Sequence, residues 1–455
     1  MKYRIHFIGI YGVSMSSLAF YLRDLGHEIT GSDVAESMLL QKFNEKAIKI
    51  LPYNHPSNVI NKDAVVYTSA IQGSNKELLA AKDSGVPILC RAELLNYIGR
   101  GFSNRIGVSG CHGKTTVTAM IALIFKADFR RFFAHIGGFD KLFGNSYFSG
   151  KDWLISEVCE YSKNINLFDP TVAVALNIDN DHLNSYENME ELTNTFYNFL
   201  DKAKIRIVCE EDARLYKYPG KKVTFGLSRG TYTVRNLRKL KNNYEFSIFR
   251  GDTFLLRSST KDLCIYSVYN ALAAATVCHE IGVDPISIEK GLAEFSGVER
   301  RNEYIGDLFS SKIYADYCHH PTEISAFLNS IELTESDLVI FEPHTYSRTK
   351  ILFESFVSSL KKCPNLIIYQ TYAAREEFDY SGSGERLALS ICGALYINNF
   401  SNLIEKIALN KYQRVFVLGA GLLYDNFKKE IIKEPSYWGL LKISDKILSF
   451  QDSNT

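Results

Sequence analysis

The run Gly107-Val108-Ser109-Gly110-Cys111-His112-Gly113-Lys114-Thr115-Thr116 holds the residue types that bind a nucleoside triphosphate. Backbone N–H groups of a glycine-bearing turn, and of a helix that starts there, point at phosphate oxygens. Lys114 would place a charge on the outer phosphates, and the Thr115 hydroxyl suits a Mg²⁺ ion. The spacing departs from the general phosphate-loop pattern, because Gly107 to Gly113 leaves five residues between the glycines and Gly110 to Gly113 leaves two. The plain alternative is a strand-to-helix turn with a solvated lysine. Glu157 and His182 follow apolar runs further on, and a carboxylate, an imidazole and a hydroxyl at strand ends could hold divalent cations beside a triphosphate. A second polar concentration lies later, in Asp316-Tyr317-Cys318-His319-His320, Pro343-His344-Thr345-Tyr346-Ser347-Arg348 and Thr371-Tyr372-Ala373-Ala374-Arg375-Glu376. Three histidines and two arginines after three such strands mark a candidate ligand site.

These groups need a scaffold that gathers strand ends. Ile106 and Val108 predict a strand before the loop, and Val117, Met120, Ile121 and Ile124 predict the helix after it. Residues 3–33 read as strand, turn, helix, strand: Ile5, Phe7, Ile8 and Ile10, then Gly9 and Gly12 in the turn. Ser14 suits a helix cap, Met15, Leu18, Ala19, Leu22 and Leu25 line one face, and the second strand ends at Gly31-Ser32-Asp33. The turn has G-x-x-G, short of the G-x-G-x-x-G dinucleotide pattern, with Asp33 where a ribose hydroxyl could be held. NAD, another nucleotide and an ordinary α/β turn all remain open there. Further strands are expected at 64–67, 86–89, 153–156 and 172–178, and a helix at 75–84. The short strands of 205–265 read as a small β lobe. Strands at 313–315, 338–341, 366–368 and 415–418 predict another doubly wound sheet. The expected fold is α/β in three domains. A Rossmann-like domain covers 1–100, a central P-loop ATPase-like parallel sheet with a small β lobe covers 101–297, and a Rossmann-like domain covers 298–455.

Bulk properties narrow the function. A chain of 455 residues exceeds one core. Its 52 basic and 51 acidic side chains leave a net charge of +1, so no basic excess points to nucleic acid. The nine cysteines show neither C-x-x-C nor zinc spacing, which fits a reducing cytoplasm. Residues 1–20 contain glycines and a serine cluster that a signal peptide would lack, and no run reaches the length of a membrane span.

Taken in order, further stretches carry a resemblance. They are His6-Phe7-Ile8-Gly9-Ile10 with Met15-Ser16, Val65-Val66-Tyr67-Thr68-Ser69-Ala70-Ile71, Arg91-Ala92-Glu93 and the phosphate loop. Then come Glu157-Val158-Cys159-Glu160-Tyr161, Asn177-Ile178-Asp179 with Asp181-His182, Asn270-Ala271, Gly297-Val298-Glu299-Arg300-Arg301, His319-His320-Pro321-Thr322-Glu323 and Pro343–Arg348. Over nearly the whole chain this resembles the Mur ligases, the ATP-dependent amide-bond-forming enzymes of peptidoglycan assembly. The two-glycine loop is the usual form in that family.

The resemblance implies a cytoplasmic ligase whose partners are UDP-N-acetylmuramate, L-alanine and ATP, with Mg²⁺ or Mn²⁺ as metal. It implies no nucleic-acid or membrane partner, and a monomer or weak dimer. Gly9, Ser14, Met15, Ser16, Asp33 and Ser69 would lie near the uridine diphosphate in the first domain. Gly110, Cys111, His112, Gly113, Lys114, Thr115 and Thr116 would hold the ATP phosphates. Asn270 would read adenine, Arg300 or Arg301 would approach the nucleotide, and Asp316 would meet its ribose. Thr115, Glu157 and His182 would be the metal ligands. Tyr317, His319, His344 and Arg348 would line the amino-acid site, with His344 as the candidate base for the incoming ammonium. Lys114, Glu157, His182, His344 and Arg348 make up the implied catalytic set.

The chain departs from the family where Tyr11, Ser14 and Ser17 stand at positions commonly glycine. It also departs at Tyr266-Ser267, Cys318 and Leu422. The altered first loop keeps two alternatives in view, a non-catalytic nucleotide-sugar-binding homologue and a nicotinamide-dependent oxidoreductase. A sister ligase that takes a peptide acceptor is a further one.

Overall fold

The computed structural model describes residues 2–34, 39–179, 186–241, 243–261, 264–374 and 376–433. The chain divides into two compact units, Met1–Glu299 and Arg300 onward. The first unit carries two sheets and the second carries one.

Strands β1 (Arg4–Ile8), β2 (Glu28–Ser32), β3 (Lys49–Leu51), β4 (Ala64–Tyr67) and β5 (Ile88–Cys90) form a five-stranded sheet in the order β3-β2-β1-β4-β5. All its pairings are parallel. Strand order reverses at β1, so the turn after β1 is where a ligand crevice opens. Asn75 caps the helix Lys76–Asp83 by accepting from the backbone N–H groups of Glu77 and Leu78, both at 3.0 Å. The fully buried Glu77 carboxylate is compensated by His6 at 2.6 Å, Asn58 at 3.1 Å and the Ser32 hydroxyl at 2.8 Å.

Ten strands make the central sheet: β6 (Asn104–Ser109), β7 (Phe132–Asp140), β8 (Gly144–Phe148), β9 (Trp153–Glu157), β10 (Val172–Ala175), β11 (Ile205–Cys209), β12 (Val223–Gly226), β13 (Tyr232–Lys239), β14 (Tyr244–Arg250) and β15 (Thr253–Ser259). Their order is β15-β14-β13-β12-β11-β10-β6-β9-β7-β8. The stretch from β13 to β7 is parallel, and antiparallel pairs finish both ends. The strands expected as a small β lobe instead continue this sheet, β11 and β12 in parallel and β13 to β15 as its antiparallel end. β7 and β8 had no counterpart among the expected strands. The order reverses at β6, flanked by β10 and β9, and the phosphate loop follows it. The helix Lys114–Ala127 returns across the sheet with every residue from Val117 to Phe125 buried, which is why its sequence reads apolar on nearly all sides.

The second unit holds β16 (Glu303–Leu308), β17 (Ser311–Asp316), β18 (Asp337–Phe341), β19 (Leu366–Tyr369), β20 (Leu395–Ile397) and β21 (Arg414–Leu418), ordered β16-β17-β21-β18-β19-β20. Only the β16–β17 pair is antiparallel. Among the described residues no helix is long and apolar enough to cross a membrane.

Candidate active site

The phosphate loop is fastened to the segment after β10. The Cys111 N–H donates to the Asn177 carbonyl at 3.3 Å. The His112 N–H donates to Asn177 Oδ1 at 2.9 Å, and Asn177 Nδ2 returns a bond to the His112 carbonyl at 3.1 Å. His112 Nε2 lies 3.3 Å from Asp179 Oδ2. Gly113 has φ +85°, the left-handed turn that lets Lys114 begin a helix, and a Cβ there would stand 2.6 Å from Asn270 Oδ1. Asn270 therefore packs directly on the loop.

Lys114 Nζ donates to the carbonyls of Gly110 at 2.5 Å and Cys111 at 3.2 Å. It also lies 3.1 Å from the Glu160 carboxylate, which is wholly buried. Burial works against the Lys114 charge, but Glu160, Cys159, Cys111 and Glu157 outweigh it and raise its pKa, so the ammonium stays charged. The Thr115 hydroxyl donates to Glu157 Oε2 at 2.7 Å. A Cβ on Gly137 would fall 1.5 Å from Glu157 Oε1, and one on Gly138 would fall 2.9 Å from Thr115 Cγ2. The glycine pair on β7 is the space these two side chains occupy. A hydroxyl and a carboxylate oxygen this close form a hard-oxygen donor pair of the kind Mg²⁺ prefers, so the residues fit the implied ion. His182, the expected third ligand, lies outside the described residues, as does Arg375.

Around the first turn, Asp33 Oδ2 accepts the Tyr11 N–H at 2.8 Å and Oδ1 accepts the Val34 N–H at 2.8 Å. Both carboxylate oxygens thus close the turn. Gly9 has φ +82° and Ser69 is exposed. Met15 and Ser16 are buried, and the Ser16 hydroxyl faces inward, on the Gly12 carbonyl and Asn145. Only their backbones are at the helix start. Ser14 Oγ lies 2.7 Å from His135 Nε2 on β7 and 3.2 Å from Arg91 Nη1. Burial, then the Arg91 charge, holds His135 down to about 3, so it is neutral.

In the second unit Tyr317, His319, His344 and Arg348 come together. The His319 ring lies 5.2 Å from Tyr317 and 5.8 Å from His344, and His344 stacks on Tyr372 at 5.3 Å. Arg348 Nη1 donates to His344 Nδ1 at 3.3 Å and to the His344 carbonyl at 3.2 Å. No carboxylate partner pairs with Arg348 among the described residues. Burial, then His319 and Arg348, holds His344 down to about 4. A neutral ring whose Nδ1 already accepts from Arg348 suits aiming that guanidinium better than removing a proton from an ammonium. Asp316 accepts the Asn302 and Cys318 N–H groups, each at 2.8 Å, and so ties the turn after β17 to the segment before β16. Arg300 donates to Asp425 at 3.0 Å and to the Gly421 carbonyl at 3.2 Å, with its guanidinium 4.3 Å from the Tyr424 ring.

Glu342 ends up beside this edge, 4% exposed, against Gly421, and accepts the Leu423 N–H at 3.2 Å. Burial pushes its carboxyl up to about 7 from 4.5, despite the N–H groups that pull it down. The native chain then holds a proton that the unfolded chain has released between those values. Stability falls as pH rises through that window, by roughly 1–3 kcal/mol. Glu342→Gln should flatten that slope and be the more stable form above pH 7, as read from urea unfolding at pH 5 and pH 8.

Comparison with known proteins decides the family. The pattern described as Mur ligase family, catalytic domain, matches residues 4–103, and the Mur ligase middle domain matches residues 108–278. The chain belongs to the Mur ligase family. Two relatives named UDP-N-acetylmuramate–L-alanine ligase come from Acetivibrio thermocellus and Aquifex aeolicus. The first is 33% identical over 92% of this chain and 94% of its own. The second is 36% identical over 95% of this chain and 97% of its own. Among solved structures, UDP-N-acetylmuramate-alanine ligase MurC from Thermotoga maritima superposes with a TM-score of 0.82 at 24% identity, covering 96% of this chain and 99% of that one. A murein peptide ligase from Psychrobacter arcticus gives a TM-score of 0.73 at 19% identity over 95% and 98%.

In this Mur ligase the structure adds Gly137, Gly138, His135, Glu160 and Tyr372 to the residues named from sequence. The Gly137-Gly138 pair after the apolar run Phe132-Phe133-Ala134 was a readable sign of a close approach. Glu160 and Tyr372 lay inside quoted stretches without an assigned part.

Proposed function

We propose that this Mur ligase is an ATP-dependent enzyme that joins L-alanine to the lactyl carboxylate of UDP-N-acetylmuramate, a cytoplasmic step in building peptidoglycan precursors. Near-full-length similarity to ligases of that name supports the reading. The observation that carries it is the convergence of Lys114, Thr115 and Glu157 at the strand where the central sheet reverses order.

A carboxylate resists amines because its carbon is weakly electrophilic and oxide is a poor leaving group. A lactyl oxygen attacks the γ-phosphorus of ATP, and ADP departs. The alanine amine attacks the resulting acyl phosphate, and the tetrahedral adduct expels phosphate. Lys114 and the loop amides bear the charge that develops on the moving phosphoryl group. Mg²⁺, held by Thr115, Glu157 and His182, would neutralise phosphate charge there. Asn270, packed against Gly113 of the loop, reads the adenine. Residues 1–100 take the nucleotide sugar, 101–297 the ATP, and 298–455 the amino acid. The Arg348 fork pairs with the alanine carboxylate, and His344 aims it.

The test is an acceptor panel of L-alanine, glycine, L-serine and a tripeptide with UDP-N-acetylmuramate, ATP and Mg²⁺. Phosphate release should need both acceptors and be fastest with L-alanine. Release that ignores the nucleotide sugar refutes the assignment, and preference for the tripeptide makes the chain a peptide-adding relative. Arg348→Lys keeps the charge and loses the two-pronged geometry, so KM for L-alanine should rise about tenfold while KM for ATP holds.

A further inference from the structure

We infer that His135 is a positioning residue that fixes Ser14 and, through it, Arg91 for the nucleoside-diphosphate part of the substrate, an inference that rests on the ligase reading above. The side-chain hydrogen bonds can be ordered from the Ser156 hydroxyl outward. The Ser156 hydroxyl donates to the Glu157 carbonyl at 2.9 Å, so its oxygen accepts from His135 Nδ1–H at 2.8 Å. The other ring nitrogen is then bare and accepts the Ser14 O–H at 2.7 Å. That leaves Ser14 Oγ to accept from Arg91 at 3.2 Å. In that order the neutral ring carries its proton on Nδ1.

An imidazole that is 1% exposed between Ala134 and Ile136 is costly to bury, and a leucine would fill the space without needing partners. What the imidazole does that a leucine cannot is reach from β7 to a serine on the turn after β1. Ser14 is the second residue of the helix Val13–Asp24, whose first-turn N–H groups have no partner within the helix. Arg91 has no carboxylate partner among the described residues. Pinning Ser14 therefore orients a guanidinium and the helix start together, and those groups suit a diphosphate. The serine at a position commonly glycine in this family is then one half of a pair with His135.

Three full-length variants separate the two ends of the ring. A Gln amide reaches where Nε2 stands, an Asn amide reaches where Nδ1 stands, and Leu reaches neither. Binding of UDP-N-acetylmuramate is measured by calorimetry without ATP, and kcat and both KM values by phosphate release. His135→Leu and His135→Asn should weaken nucleotide-sugar binding about tenfold, and His135→Gln should recover most of it. KM for ATP should hold in all three, and kcat should move less than about twofold. Ser14→Gly added to His135→Leu should cost nothing more. Equal affinity in all variants, or kcat and KM for ATP worsening in step with the nucleotide sugar, overturns the inference and leaves the ligase reading standing. A parent protein that does not bind the nucleotide sugar removes both.

Discussion

A Lys114→Met enzyme should turn over at less than about one thousandth of the parent rate, because under the proposed ligase reading the transferring phosphoryl group loses a fixed cation. The same change should destabilise the chain. Lys114 lies 3.1 Å from the Glu160 carboxylate, whose side chain is wholly buried. Removing Lys114 takes the countercharge, 3.1 Å away, from a carboxylate that water cannot reach, at a cost of about 3–5 kcal/mol. Loss of activity in the single variant is therefore ambiguous between chemistry and folding. Lys114→Met/Glu160→Gln resolves this, because the amide needs no counterion and most of the stability should return. Urea unfolding and phosphate release on the same preparation make the comparison. A double variant that folds like the parent and still turns over at more than about a tenth of its rate would remove Lys114 from the chemistry.

Gly137→Ala should produce the opposite pattern, a sound fold with a displaced metal ligand. No positive φ stands in the way of alanine there. Its Cβ would fall 1.5 Å from Glu157 Oε1 and 2.0 Å from Cδ, so the carboxylate has to swing aside and give up the Thr115 hydroxyl. Side-chain rotation is cheap, and unfolding free energy should change by less than about 1 kcal/mol. Holding a divalent ion next to a phosphate is sensitive to such a shift, and kcat should fall about a hundredfold with a higher Mg²⁺ requirement. A magnesium titration of the rate reads both effects. Unaltered magnesium dependence together with near-parent kcat would show that Glu157 holds no ion.

The parts of this protein that could be read from sequence are those settled within a few residues. The helix after Asn75 shows its own cap, since a side chain two residues away satisfies the orphan N–H groups. The strands Ala64–Tyr67 and Asp337–Phe341 are short apolar runs closed by polar residues, and both emerged where the pattern put them. Lys114 and Thr115 follow from the strand, glycine turn and helix that surround them. The unread parts depend on partners far along the chain. Ser14 and His135 are 121 residues apart, and neither position suggests the other. Phe132–Asp140 lacks alternation because most of it is buried on both faces, and its glycine pair signals a close approach without naming Glu157 as what approaches. Asp33 suggests a ribose contact by its place after a strand, and Asp316 only through the family resemblance. Each carboxylate accepts one backbone N–H of its own turn, from Val34 and Cys318 respectively, and one from a separate segment, from Tyr11 and Asn302.

Tyr21, on the helix after the first turn, stacks on Phe133 of the central sheet with ring centroids 4.1 Å apart, and its neighbours Phe102 and Phe148 close around it. One continuous apolar core includes Phe7 and Phe20 of the first sheet's layer as well as Phe125 and Phe199 of the second. Scissors applied between residues 103 and 108, where the two family patterns meet, would cut through oil. Either fragment would expose a broad aromatic face and should clump when expressed alone. An investigator who wants a smaller piece for crystals or screening does better to sever the chain between Glu299 and Arg300.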